Sequence, residues 1–578
     1  MMFLKDFISI NHASLPATIL AVFLAVLILT KLQARKSTEK RKRYHPIGST
    51  ILQQISNFHR LHDFLTDLAC NHKTFRLLSF FKTEVYTSDP ANVEYILKTN
   101  FPNYGKGSYA YNNLTDLLGD GIFVVDGEKW RHQRKFASYE FSTKILRDFS
   151  SEVFKTNALK LARVVSEAAA SKRSIEIQDL FMKSTLDSVF KVLLGVELDG
   201  MCGTSEEGTR FSEAFDTASA MVRYRYVDVF WKIKRFLNIG SEAVLRKCVK
   251  DLDEFVYKII KSKIEQVQNS HTDLLGKKED VLSRFLELKE TNQKYLRDII
   301  LSFVIAGKDT TSSTLSWFFY LICKYPDIQE KIAKEVMEAT QLGHNSSIEE
   351  FATRITEETI DKMQYLHATL TETLRLYPAV PLDGKMCFSD DTLPDGYNVK
   401  KGDYVAYLPY AMGRMRFIWG DDAEEFRPER WLDENSRFES ESPFKFTAFQ
   451  AGPRICLGKE FAYRQMKIFC MLLLGYYRFK LSDEKKTVKY RTMLTLAIDG
   501  GGCVGLGVVT HDSDGNGLVR NAWMLRLLTV CEAALFSVVV KSHALRVVTF
   551  DLFVKATLDS EFKALITWGK VGCYVCNA

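Results

Sequence analysis

A cysteine flanked by two glycines is the strongest chemical feature of the sequence. Cys456 lies in the segment FQAGPRICLG, residues 449–458. A thiolate is a good ligand for haem iron, and it donates the electron density that favours cleavage of an O–O bond. The segment therefore predicts that Cys456 binds a haem iron, which is the metal ligand expected in this chain.

The neighbours of Cys456 each have a use in such a loop. Gly452 and Gly458 can let the backbone turn tightly and approach a flat cofactor. Arg454 can pair with an acidic group of that cofactor, and Phe449 can keep water from the sulfur. A helix that begins near Leu457 is expected to lower the pKa of the thiol. The alternative is a buried cysteine in an ordinary loop, which leaves the other residues without a purpose.

A second feature lies within a long apolar stretch, residues 296–324, that reads as one buried helix ending before Pro326. Thr310 can donate to the carbonyl of Ala306, which bends a helix and opens a groove. Ala306 and Gly307 are then expected to leave room for dioxygen. Asp309 is unusual in so apolar a helix. The alternative is a simple helix irregularity with a solvated acid.

Two pairs of residues are weaker indications of function than these features. Trp130 and Arg134 are four residues apart, so they share a helix face. Glu372 and Arg375 are three residues apart and also share a helix face. Arg430 follows in the segment FRPERW, residues 426–431. Either pair alone is common on protein surfaces.

Taken in their order along the chain, these segments resemble those of the cytochrome P450 family, over roughly residues 45–500. The resemblance implies haem b with Cys456 as its axial ligand. Trp130, Arg134 and Arg454 would contact the haem propionates, and Lys385 occupies a position where the family often has another basic residue.

The resemblance also assigns roles to the remaining residues. Asp309 and Thr310 would relay protons during catalysis. Glu372, Arg375 and Arg430 would form a buried structural triad. Residues 410–415 and 418–420 look like those of the plant branch that hydroxylates fatty-acid chains, often near the terminal methyl. An apolar small-molecule substrate fits the residues beside the motifs, although a sterol or terpene would fit too.

Electrons must come from outside, since the chain has no nucleotide-binding glycine-rich loop and no flavin module. The resemblance implies NADPH–cytochrome P450 reductase as the donor. Lys459, Arg464 and Lys467 could form its docking face.

The pattern of the chain predicts a mainly α fold with small β-sheets. Helical spacing is clear over residues 144–170 and 251–267, and residues 268–280 read as a loop. Strand-like segments are few: residues 84–86, 397–399 and 404–408.

The N-terminus predicts a membrane anchor. Residues 7–30 contain no charged side chain, and basic residues follow from Lys31 to Arg43. Such a stretch can cross the hydrocarbon layer as a helix, and the trailing positive charge keeps the catalytic domain cytosolic. A cleaved signal peptide would carry its basic residues before the apolar run. We expect a single-pass protein of the endoplasmic reticulum membrane, with membrane lipid as a partner.

The composition excludes few classes of function. The net charge of +7 is too small to predict a nucleic-acid partner, and 11 cysteines, an odd number, do not form a disulfide framework. A reducing compartment is therefore expected.

The C-terminal tail does not fit this picture. Asp499, Glu532 and Asp551 lie roughly where a ribonuclease H-like domain of plant retroelements, which the tail resembles, has metal-binding carboxylates. The tail is shorter than such a domain, so a gene-fusion remnant is the favoured interpretation. We therefore expect an anchor (1–35), a monooxygenase domain (36–500) and an atypical extension (501–578). A non-catalytic haem protein and an O2-independent isomerase remain as alternatives.

Overall fold

The computed structural model describes residues 43–510 apart from short gaps: 80–82, 142, 202, 204, 227, 229, 270–279, 288–289, 342–346, 486–487, 493 and 500–504. The predicted anchor and most of the predicted extension, including Glu532 and Asp551, lie outside the described residues. Within the described part of the chain, no helix is both long and apolar enough to span a membrane.

Helices dominate the described residues, which confirms the predicted fold class. In chain order the α-helices are α1 (Ile51–Ser56), α2 (Leu61–Asn71), α3 (Pro90–Glu94), α4 (Gly107–Leu118), α5 (Gly127–Phe141), α6 (Lys144–Ala170), α7 (Ile177–Leu194), α8 (Glu206–Tyr224), α9 (Trp231–Leu237), α10 (Ser241–Asn269), α11 (Val281–Glu287), α12 (Gln293–Lys324), α13 (Pro326–Thr340), α14 (Ile348–Arg354), α15 (Glu357–Lys362), α16 (Gln364–Leu376), α17 (Pro409–Met412), α18 (Arg416–Trp419) and α19 (Lys459–Tyr476). Short 3-10 turns cover Phe58–Arg60, Phe101–Asn103, Pro428–Trp431 and Gly452–Arg454, and a π-turn covers Tyr95–Thr99.

The strands form small sheets at the margins of the helical body. They are β1 (Ile47–Thr50), β2 (Thr74–Leu78), β3 (Thr83–Thr87), β4 (Tyr104–Gly105), β5 (Ile175–Glu176), β6 (Asp383–Cys387), β7 (Asp391–Thr392), β8 (Asn398–Val399), β9 (Tyr404–Tyr407), β10 (Tyr477–Leu481), β11 (Tyr490–Thr492), β12 (Leu496–Ile498) and β13 (Gly505–Thr510). A six-stranded sheet has the order β1-β2-β3-β9-β6-β4, a three-stranded sheet has the order β10-β13-β5, and β7-β8 and β11-β12 are hairpins.

The long helix α12 runs through the hydrophobic core. It begins three residues earlier than predicted because the side chain of Asn292 caps it, accepting from the amide of Tyr295 at 3.1 Å. It ends at Lys324, since Pro326 disfavours helical backbone at the preceding residue. Buried residues occur all around α12, which fits its position between α7 and α16.

The boundary at the end of the catalytic body lies near β13. This strand pairs antiparallel with both β10 and β5, so residues 505–510 share a sheet with strands that precede residue 500. Asp499 follows the β11-β12 hairpin, and its amide donates to the carbonyl of Lys489 at 2.8 Å. The division of the chain at residue 500 stays a prediction.

Candidate active site

The Cys456 loop connects a 3-10 turn to the start of α19. The amide of Cys456 donates to the carbonyl of Phe449 at 2.8 Å, which closes the loop behind the sulfur. The backbone of Gly458 acts on the thiol by lowering its pKa. The ring of Phe449 packs against Tyr463 on α19, with centroids 5.3 Å apart. These contacts fix the direction in which the sulfur points.

The two glycines of the loop have different roles. Gly452 has a φ of +66°, and a Cβ there would lie 2.0 Å from the carbonyl oxygen of Leu97. Only glycine fits this turn. Gly458 has an ordinary φ of −86°, and a Cβ there would lie 4.0 Å from the sulfur of Cys456. The expectation that both glycines make a tight turn is therefore correct for Gly452 alone.

The thiol of Cys456 keeps accessible surface, although protein packs closely around it. This burial raises the pKa of the thiol, while the amide of Gly458 and the charges of Arg134 and Lys459 act in the opposite direction. The predicted lowering of this pKa by the N-terminus of α19 stays a prediction.

Three side chains predicted to hold an acidic cofactor gather near this loop. Trp130 is buried on α5, and the guanidinium of Arg454 lies 4.4 Å from the centre of its ring. Arg454 also forms an ion pair with Asp126 at 2.6 Å. Arg134, one turn after Trp130, is half-buried and has no hydrogen bond or ion pair with any described residue.

These side chains fit haem b. The sulfur of Cys456 is a suitable ligand for iron. The Nε atom of Arg454 is buried and lacks a hydrogen-bond partner among the described residues, and Arg134 has a free guanidinium. Two arginines with unused donors suit the two carboxylates of a porphyrin.

Lys385 forms an ion pair with a carboxylate of the protein. Its ammonium lies 2.6 Å from Asp383, which also pairs with Lys106 at 2.8 Å. Burial lowers the pKa of Lys385 to about 7, although Asp383 acts against this change. The side chain of Gln450, which has a left-handed φ of +58°, donates to the same carboxylate at 2.9 Å.

The groove of α12 contains the predicted acid and alcohol. The hydroxyl of Thr310 donates to the carbonyl of Ala306, as the spacing predicts. A Cβ at Gly307 would lie 2.5 Å from the side chain of Val189 on α7. Glycine at this position therefore allows α7 to pack closely against α12, and its expected role in making room for dioxygen stays a prediction.

Asp309 is buried next to a buried lysine. Its Oδ1 atom has no hydrogen-bond partner among the described residues, and the ammonium of Lys308 lies 3.5 Å away. Burial raises the pKa of Asp309, and Lys308 partly opposes that change. Lys308 in turn donates to Asp216 on α8, whose side chain is 46% exposed. The sequence reasoning missed this link, although a lysine inside an apolar helix could have indicated it.

The triad predicted for structural support is assembled. Arg375 donates to both carboxylate oxygens of Glu372, at 2.7 and 2.8 Å. Arg430 approaches the same carboxylate at 3.5 Å and pairs with Asp422 at 3.1 Å. The indole of Trp431 adds a hydrogen bond to Glu372 at 2.8 Å. The acid is thus fully paired without access to solvent.

The basic docking face expected on α19 is not present in the predicted form. Lys467 is buried and donates to the carbonyl of Ile360 at 3.1 Å, with its pKa lowered to about 8 by burial. Arg464 is paired with Glu357. Lys459 is half-buried beside the ring of Phe449. Spacing on one helix could not reveal these contacts with other helices.

Comparison with known proteins agrees with this geometry. Residues 42–501 match the family model described as cytochrome P450. The chain is 50% identical over 477 residues to cytochrome P450 704C1 of Pinus taeda, covering 80% of this chain and 91% of that protein. It is 46% identical over 485 residues to cytochrome P450 704B1 of Arabidopsis thaliana, covering 78% and 92%. It is 36% identical over 455 residues to cytochrome P450 94A1 of Vicia sativa, covering 77% and 85%.

The match extends across the described helices and includes every site residue discussed above. The chain therefore belongs to the cytochrome P450 family of monooxygenases, which use haem b and electrons supplied by a reductase.

Proposed function

We propose that this protein hydroxylates a fatty acid at or near its terminal methyl group. One atom of O2 enters a C–H bond to give an alcohol, and the other leaves as water with two protons and two electrons. The observation that carries the proposal is the Cys456 loop, in which the left-handed turn at Gly452 and the bond from the Cys456 amide to Phe449 hold a thiol that keeps accessible surface.

Cys456 would bind the haem iron, and the haem would supply the oxygen chemistry. Trp130, Arg134 and Arg454 would hold the propionates. Asp126 keeps the guanidinium of Arg454 in place through its ion pair of 2.6 Å. Lys385 would act indirectly, because its ammonium is bound to Asp383.

Asp309 and Thr310 would deliver protons to the reacting oxygen. Asp309 is buried, and its Oδ1 atom accepts no hydrogen bond from a described residue but lies 3.5 Å from the ammonium of Lys308, so that the lysine can influence its proton exchange. Thr310 can pass a proton because its hydroxyl, which donates to Ala306, keeps its lone pairs for a second partner. This arrangement suits general acid catalysis in a site with little water.

The substrate class is supported by apolar side chains beside the motifs. Phe303 and Ile305 precede Ala306 on α12, and both keep accessible surface within the core. Val380 and Leu382, which follow the Glu372–Arg375 helix, are half-buried as well. An apolar lining with few polar groups suits an acyl chain.

We further propose that the protein works at the endoplasmic reticulum membrane, anchored by residues 1–35, with its catalytic domain in the cytosol. Helix α9 supports contact with lipid. Phe236 is 87% exposed and Phe230, just before the helix, is 64% exposed. Lys232, Lys234 and Arg235 lie between them. Exposed aromatic rings among cations are typical of a membrane-facing surface.

Electrons would come from NADPH through cytochrome P450 reductase. No docking face is assigned, since Arg464 and Lys467 are engaged within the fold. We propose that residues 501–578 are a gene-fusion remnant without nuclease activity. The full chain and a chain ending at Thr510 should then hydroxylate the same substrate.

The test is reconstitution of the full chain with reductase, NADPH, 18O2 and a long-chain fatty acid. The expected product is a hydroxy acid carrying one labelled oxygen, formed by the wild type and lost in Cys456→Ser. Cys470→Ser serves as the matched control, because that cysteine is buried on α19 away from the loop. Product without label would support the isomerase, and no product from any apolar substrate would contradict the proposal.

A further inference from the structure

Arg223 and His62 form a second polar site, apart from the residues around Cys456. We propose that this pair binds the carboxylate of the acyl substrate and so determines which end of the chain is oxidised. This inference rests on the proposed fatty-acid function and adds a recognition site to it.

Arg223 is a cation without an anionic partner. It is the penultimate residue of α8, and its Nη1 atom is buried with no hydrogen-bond partner among the described residues. The ring of Phe58 lies 5.4 Å from its guanidinium carbon. Burial lowers the pKa of Arg223 to about 10, and no acidic group opposes the change. Arg223 as a whole is half-buried, and the buried part of its charge is costly unless an anion joins it.

The neighbouring Arg225 shows how a structural arginine is paired and hydrogen-bonded in this fold. Its guanidinium lies 2.6 Å from both Glu242 and Asp116, and it donates to the carbonyl of Asn113 at 2.9 Å. Two residues away on the same segment, Arg223 has none of these contacts. The difference indicates that Arg223 is kept for a ligand.

His62 supplies a second unsatisfied group beside Arg223. It is buried on α2, one turn after Phe58, and its Nε2 atom has no hydrogen-bond partner among the described residues. The rings of Tyr410 and Tyr490 lie 5.7 and 5.4 Å from the His62 ring and hold it in place. Burial lowers the pKa of His62 to about 3, and the nearby charge of Arg223 contributes.

The nearest acid on α2 does not neutralise Arg223. Asp63 accepts from the hydroxyls of Tyr410 and Tyr490, each at 2.9 Å, one at each carboxylate oxygen. The amide of Asp63 also donates to the hydroxyl of Tyr490, at 3.3 Å. Because both of its oxygens are engaged, Asp63 leaves Arg223 and His62 available to an external carboxylate.

The position of Arg223 relates this site to the oxygen groove. Asp216, which bonds to Lys308 beside Asp309, precedes Arg223 by seven residues on α8. Seven residues are about two turns, so the two side chains leave α8 on a similar face, about 10 Å apart along the axis. Asp216 is the point where α8 reaches α12, so we infer that a chain held by its carboxylate at Arg223 presents its distal carbons, rather than those next to the carboxylate, to α12.

The experiment compares a fatty acid with the alcohol of the same chain length, using calorimetric titration of the holoenzyme. In Arg223→Gln, we expect the acid to bind about ten- to hundredfold more weakly, while binding of the alcohol is nearly unchanged. Arg223→Lys should restore part of the affinity. Arg210→Gln is the matched control, because it removes the same charge from an exposed position on α8.

The products give an independent readout. The wild type should oxidise one or two carbons at the methyl end, and Arg223→Gln should spread oxidation along the chain. Equal weakening of acid and alcohol would show a packing role and overturn the inference, as would undiminished binding of the acid. Arg223→Gln could bind the acid as tightly as the wild type and oxidise the same carbons. If the wild type still hydroxylates the acid, that result disproves the carboxylate site but not the proposed function. If the wild type binds neither compound, the proposed function fails as well.

Discussion

The ammonium of Lys308 lies 3.5 Å from the carboxylate of Asp309, the residue that follows it on α12. The same ammonium donates to Asp216 on α8, so one buried lysine connects a half-exposed acid with a buried one. Motif spacing assigns no role to Lys308, and its position inside an apolar helix is the one sequence signal for it. Its position gives it direct control over the charge of Asp309.

Replacement of Lys308 by methionine should keep Asp309 protonated to higher pH. Burial already raises the pKa of Asp309, and loss of the ammonium removes the charge that opposes this rise. The apparent pKa in the pH dependence of kcat/KM should therefore move upward. Lys324→Met, at the exposed end of α12, should leave the profile unchanged, and a profile that is also unchanged in Lys308→Met would contradict this role.

Thr310→Ala should separate oxygen reduction from product formation. The substitution removes the hydroxyl that donates to Ala306, so proton delivery fails while electrons still arrive. NADPH consumption should continue with release of peroxide, and hydroxylated product should fall by about tenfold or more. Thr314→Ala removes an equivalent hydroxyl one turn later, which donates to the carbonyl of Thr310 at 2.8 Å, and should stay coupled. Full coupling in Thr310→Ala would exclude the proposed role.

The stability of the fold should fall as the pH drops below about 6.5, partly because of His367. Burial between Tyr463 and Phe438 lowers its pKa to about 3 from an ordinary 6.5. The unfolded chain therefore binds a proton that the folded chain rejects, and the free energy of unfolding decreases between these values. In chemical denaturation, His367→Phe should reduce the total loss of unfolding free energy between pH 6.5 and 3 by a few kcal/mol, whereas His132→Phe at an exposed position should not. An unaltered slope would show that His367 does not titrate on unfolding.

Gly452→Ala should reduce haem binding as well as stability. The Cβ would need a left-handed backbone and would meet the carbonyl of Leu97 at 2.0 Å. Gly402→Ala requires a similar backbone, with φ of +89°, but meets no atom within 4 Å. Both variants should lose about 1 to 2 kcal/mol in unfolding from the left-handed backbone, and Gly452→Ala should lose more because of the clash with Leu97. Only Gly452→Ala should also lose haem content. Equal haem content in the two variants would show that the Leu97 contact is unimportant.

Local spacing predicted the parts of the site that lie on one element. The bond from Thr310 to Ala306 and the pairing of Glu372 with Arg375 each follow from helix geometry, because residues three or four apart share a face. The bounds of α6 likewise match the helical pattern of residues 144–170.

Contacts between distant segments could not be predicted in this way. Gly307 is fixed by Val189 of another helix, and Lys467 is buried because its ammonium reaches Ile360. The pKa of Cys456 depends on how densely the folded chain surrounds the sulfur, which a helix dipole alone does not determine. Short strands such as β1 and β6 were missed because four or five residues carry too little alternation.

The most direct test of the account is the absorption spectrum of the purified, reduced protein with carbon monoxide. With Cys456 as a thiolate ligand, the wild type should contain one haem per chain and show the red-shifted Soret band of sulfur ligation, which Cys456→Ser should lose. A wild-type protein without haem, or a Cys456→Ser variant that keeps the shifted band, would contradict the account.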